Sequence, residues 1–148
     1  MSDERYVVNV EAAIYRGDRW LMVRRSEQEA HAGGTLALVG GKVERAGIAD
    51  GILEQTLRRE IREEVGVEVG IPLRYVRSTA FVADDGDPVV DIVFLCAYVS
   101  GEPRILDPAE VAAVTWMSLD EVLDHPNAPA WTKESLVLAE AERLSLSA

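Results

Sequence analysis

The stretch RREIREEVG, Arg58 to Gly66, places six charged residues in nine positions, and three of them are the carboxylates Glu60, Glu63 and Glu64. Leu53, Leu57, Ile61 and Val65 recur every four residues through the same region. That period predicts a helix from Ile52 to Val65, with Gly66 placed to end it as a C-cap glycine. With Glu60 set at zero and about 100° per residue, the apolar stripe centres near 80° and the carboxylates near 0°. The acids therefore sit on the shoulder of the buried stripe. Like charges at i,i+4 repel by some tenths of a kcal/mol even when exposed. Two arrangements relieve that repulsion. Arg58, Arg59 and Arg62 can neutralise the acids in a solvated face, or a hard divalent cation can take their oxygens as ligands.

Working outward, YVVNVEAAIYR (6–16), the turn GD and RWLMVRR read as strand, turn, strand. TLALVGGKVE reads as a short strand entering a glycine-containing turn, followed by a loop from Arg45 to about Gly51. Beyond the helix, PLRYVRSTAFVA and PVVDIVFLCAYVSG flank DDGD, a strong hairpin signal. AAVTWMSL is a further short strand, and Ser118 and Glu121 have capping-box spacing for the helix LDEVLDH. Pro126 and Pro129 precede a last helix over about Lys133 to Leu144. Strands, a central helix, more strands and a terminal helix predict a mixed sheet with helices packed on it, of α+β class.

The 148 residues are the size of one domain, and nothing in them reads as a linker or repeat. The net charge of −11 opposes a polyanion-binding surface, because nucleic-acid backbones are held by Lys and Arg. A small phosphorylated ligand remains compatible, since a metal ion bridges two anions. No apolar run approaches the ~18 residues that span a bilayer, and no signal-peptide pattern is visible. The lone Cys96 excludes an intrachain disulfide. The expectation is a cytoplasmic protein without membrane or nucleic-acid partners.

GGKVE, a loop and then REIREEVGV resemble the box of the Nudix hydrolase family, whose core is R-E-U-x-E-E-x-G-U with U aliphatic. Arg59, Glu60, Ile61, Glu63, Glu64, Gly66 and Val67 fill its fixed places. VRRSEQEAHAGG, SGEP and DPAEVAAVTWMSLDEV resemble Nudix segments in the right order, so the resemblance covers most of the chain. It departs in three places. Gly51 stands where the box has a glutamate, eight residues before Arg59. The stretch from Gly41 to Arg59 is about four residues longer than usual. Val39 replaces the usual proline before the glycines. Glu44, Asp50 and Glu54 are the acids available to substitute for the missing one.

The resemblance implies a single Nudix domain, an α/β/α sandwich with a mixed sheet between helices. It implies hydrolysis of a nucleoside diphosphate linked to another moiety, by water attack at phosphorus assisted by Mg²⁺ or Mn²⁺. Glu60 and Glu64 would be the principal metal ligands, with Glu63 as a third and the carbonyl of Gly40 as a backbone ligand. One of Glu60, Glu63 and Glu64, or a carboxylate from a loop, would take the proton of the attacking water; Arg59 would orient the glutamates, and Glu110 would add a ligand or a base. Arg25 and Lys42 would reach substrate phosphate. The marks of ADP-ribose, diadenosine polyphosphate and NADH hydrolases are absent: Val82 and Ala83, for example, occupy the region of the expected ADP-ribose proline. Arg25, Ser26, His31 and Gly33 echo the coenzyme A motif only loosely. A nucleoside triphosphate is then the expected small-molecule substrate, with ADP-ribose, NDP-sugar, coenzyme A or a non-catalytic nucleotide sensor as alternatives. A homodimer is common in the family.

Overall fold

The computed structural model describes residues 4–29, 31–45 and 47–146. The chain runs through β1 (Val7–Arg16), β2 (Arg19–Arg25), β3 (Leu36–Ala37), β4 (Val39–Lys42), α1 (Ile52–Val65), β5 (Glu68–Val69) and β6 (Arg74–Val82). It continues through β7 (Pro88–Ser100), β8 (Val111–Ser118), α2 (Leu119–Leu123) and α3 (Ala130–Ser145). β1 is the organising strand: it is antiparallel to β2 and β4 and parallel to β7 over nine residue pairs, Val7↔Val89 to Tyr15↔Ala97. β2 pairs antiparallel with β3 and β8, and β7 with β5 and β6. The sheet is mixed, as expected.

Period-two alternation sends β1 to two separate cores. Val10, Ala12 and Ile14 join Leu21, Val23 and the α1 residues Leu57, Ile61 and Val65 on one face. Ala13 joins Trp20, Met22, Val93 and the α3 residues Leu136 and Ala139 on the other. The result is the α/β/α layering of an α+β fold. Among the described residues no helix is long and apolar enough to cross a membrane.

Helix α1 occupies the span its period predicts, and Gly66 closes it in the left-handed region (φ 72°), its N–H donating to the carbonyls of Ile61 and Arg62. Arg58 ties the helix to β5 by donating to the Val69 and Gly70 carbonyls, each at 2.8 Å. Ser118 and Glu121 form the capping box of α2. One expectation is corrected here, and one element was not anticipated. The last helix begins at Ala130, three residues early, because Pro129 supplies an extended N-cap rather than a spacer. The two-residue strand β5 carries too little pattern to be read from sequence.

Candidate active site

The glycines before α1 form no turn: Gly40 and Gly41 lie in the extended strand β4, paired with Glu11 and Val10. They are small because of close approach. A Cβ on Gly40 would stand 2.2 Å from the Val10 carbonyl oxygen, and one on Gly41 would stand 2.5 Å from the Glu60 carboxyl carbon. Gly41 thus leaves the space in which the Glu60 carboxylate rests.

The three α1 carboxylates do not share one environment. Glu64 lies about 40° from the centre of the apolar stripe, Glu60 about 80° and Glu63 about 140°. Burial follows that order. Glu64 is 5% exposed, whereas the side chains of Glu60 and Glu63 are 15% and 59% exposed. Glu63 leans outward to Arg59, Nη1 to Oε2 at 4.0 Å, and Arg59 also reaches Glu60, Nη2 to Oε1 at 3.6 Å.

The third carboxylate at the site is Glu110. Gly101 starts the loop that brings it, packing so close to α1 that a Cβ there would meet the Gly66 carbonyl oxygen at 2.3 Å. The loop then caps the end of α1, with Arg104 N–H on the Val65 carbonyl (3.1 Å) and Leu106 N–H on the Glu64 carbonyl (3.0 Å). Ser26 N–H holds the Glu110 carbonyl at 2.8 Å. Glu60, Glu64 and Glu110 each present an oxygen, all within 4.8 Å of one another. Burial, a hydrogen bond with Glu110 and the charges of Glu110, Glu60 and Asp107 push the Glu64 carboxyl up to about 10. Burial also raises Glu60, opposed by Arg59 and reinforced by Glu63, Glu110 and Glu44. Three hard oxygen donors at this spacing, strained toward protonation, fit a divalent cation: a cation supplies the positive charge that the proton otherwise brings.

Of the remaining expected residues, Gly40 adjoins the centre through β4, but Arg25 is engaged elsewhere. Its Nη2 donates to Glu29 at 3.2 Å and its Nε to the His31 carbonyl at 3.1 Å. Lys42 is exposed at the end of β4. His31 stacks on Phe81 at 5.7 Å between centroids and faces Asp84 at 3.5 Å.

Sequence reasoning passed over Asp107 and a polar strip on the α3 face of the sheet. Asn9 Nδ2 donates to Asp91 Oδ1 at 2.7 Å, across the register pair Asn9↔Asp91. Glu11, two residues on and so on the same face, is pushed up to about 8 by burial and by Asp91, against Arg25 and Arg77. The signal was an acid at alternating position inside an apolar strand.

The family model described as NUDIX domain matches residues 5–138. Among solved structures, a MutT NUDIX hydrolase from Burkholderia pseudomallei is 30% identical, with a TM-score of 0.75 over 91% of this chain and 98% of that one. A MutT protein from Methanosarcina mazei Go1 is 25% identical, TM-score 0.76, over 97% and 99%. The NUDIX domain of Shewanella oneidensis NrtR, in complex with ADP ribose, shares the fold at 24% identity, TM-score 0.70, over 97% and 90%. No curated protein matches the sequence significantly. The box residues, the site they build at the end of α1 and the match over nearly the whole chain agree: the chain belongs to the NUDIX domain family and is a MutT-like Nudix hydrolase, an enzyme that cleaves phosphoanhydrides.

Proposed function

We propose that the protein hydrolyses a nucleoside triphosphate between phosphates, releasing a nucleotide and pyrophosphate or phosphate, with Mg²⁺ or Mn²⁺ held by Glu60 and Glu64 and with Glu110 beside them as the base. The observation that carries this reading is the convergence of those carboxylates within 4.8 Å. A cation held there would supply positive charge against the phosphates of the substrate and would make water a better nucleophile. Glu60 and Glu64, the more enclosed pair, hold the cation, and Glu110 at the exposed rim accepts the proton of the attacking water. Arg59 orients Glu60 and Glu63. The Gly40 carbonyl lines the same edge of β4, and Lys42 extends beyond it toward phosphate. Arg25 donates to Glu29 and to the His31 carbonyl, which favours a role in shaping the loop after β2.

The likeness to two MutT proteins across almost their whole length supports a MutT-like pyrophosphohydrolase, and a triphosphate is chosen because the marks of ADP-ribose, diadenosine polyphosphate and NADH hydrolases are absent from the sequence. Retention of Glu60, Glu63 and Glu64 favours catalysis over nucleotide sensing. The test is phosphate release, with coupled phosphatase or pyrophosphatase, across dNTPs, 8-oxo-dGTP, ADP-ribose, UDP-sugars, diadenosine polyphosphates and coenzyme A, with each metal. Metal-dependent turnover of triphosphates is the expected result. Turnover confined to ADP-ribose or coenzyme A would replace the substrate, and nucleotide binding without turnover would establish a sensor.

A further inference from the structure

Helix α1 starts at a residue that cannot do what the family pattern asks of it. Gly51 is the N-cap, in the left-handed region (φ 62°, ψ 36°), with no side-chain cap. A Cβ at Gly51 would meet no atom within 4 Å, but the positive φ strains any side chain placed there. An acid acting beside Arg59 has to come from elsewhere, and the lengthened loop before α1 supplies one. Val43 N–H donates to the Val8 carbonyl at 2.8 Å and its side chain packs on the core under α1, which fixes the chain one residue before Glu44. Glu44 and Arg59 then line one cavity of about 310 Å³, with Thr56 and Gln55 among its walls. Arg59 touches Glu60 and Glu63 only at 3.6 and 4.0 Å, long for ion pairs, and its guanidinium has room to move toward a third acid. Asp50 and Glu54 do not line this cavity.

We propose that Glu44 is a positioning residue of the active site: across the cavity it anchors Arg59, and through Arg59 it sets the direction of the Glu60 carboxylate toward the cation. The loop extension and the glycine at position 51 are then two halves of one rearrangement. The proposal rests on Glu60 as a cation ligand. Substitution of an outer partner of a metal ligand costs about 10–100-fold in affinity or activity.

The experiment is calorimetric titration of the full chain with Mn²⁺ in the absence of nucleotide. Glu44→Gln is expected to weaken binding about tenfold with unchanged thermal stability, and Glu44→Asp to recover most of it. Glu54→Gln is expected to match wild type. In an Arg59→Ala background Glu44→Gln is expected to add nothing, because the two act in series. Wild-type Mn²⁺ affinity in Glu44→Gln, or full additivity with Arg59→Ala, overturns the proposal. Glu64→Gln separates the two readings: if it too binds Mn²⁺ like wild type, the metal centre itself is misplaced, whereas its loss beside an unaffected Glu44→Gln refutes Glu44 alone.

Discussion

Replacing Glu64 by glutamine tests the buried end of the carboxylate cluster. In the metal-free fold the Glu64 carboxyl is held up to about 10 against an ordinary 4.5, chiefly by burial and by its hydrogen bond with Glu110. Between those two values the folded protein keeps a proton that the unfolded chain has released. Stability therefore falls as pH rises through that window, by at most about 1.4 kcal/mol per unit. From pH 5 to pH 8 the ceiling is about 4 kcal/mol from this group. Glutamine keeps the shape and a donor for Glu110 but has no proton to lose. Urea denaturation in EDTA at pH 5 and pH 8 isolates the effect as the difference between variant and wild type. The expected outcome is a Glu64→Gln protein that loses less stability than wild type across the interval, by up to about 4 kcal/mol. Adding Mg²⁺ at pH 8 is expected to stabilise wild type, because the cation takes over from the proton. The variant should gain little and lose turnover. Parallel pH profiles together with equal Mg²⁺ stabilisation of both proteins would refute the reasoning.

Leu57 is fully buried against the sheet, so Leu57→Ala should cost about 2–5 kcal/mol in urea denaturation, the range for cavity-forming core truncations. Neighbouring glycines should separate stability from activity. Gly41→Ala pushes the Glu60 side chain aside and should lower turnover and Mn²⁺ affinity at nearly wild-type stability, while Gly40→Ala meets the Val10 backbone and should show a lowered Tm. Glu11, raised to about 8, also retains a proton in the fold that the unfolded chain has lost. Its contribution makes stability fall as pH climbs from about 4.5 to about 8, and Glu11→Gln should flatten that slope in denaturation curves recorded across the range.

Much of this was legible in one dimension because the signals are local. The four-residue apolar recurrence gave α1 its extent, Gly66 its end, Ser118 and Glu121 the cap of α2, and DDGD the hairpin between β6 and β7. The box residues identified the family, since they are fixed by chemistry at fixed spacing. What the chain alone could not assign was which acids converge. Glu60, Glu63 and Glu64 are equivalent in spacing, but the depth of α1 against the sheet buries Glu64, shelters Glu60 and leaves Glu63 outside. Glu110 joins them only because the 101–110 loop bonds to the carbonyls at the end of α1. The glycines of GGK read as a turn, and only the packing of β4 on β1 and under Glu60 reveals them as points of close approach. Spacing along the chain determined the helix, the strands and the set of possible ligands. Membership of the carboxylate centre was decided by long-range packing, because which oxygens lose water and come within reach of one cation depends on surfaces that residues distant in sequence bring together.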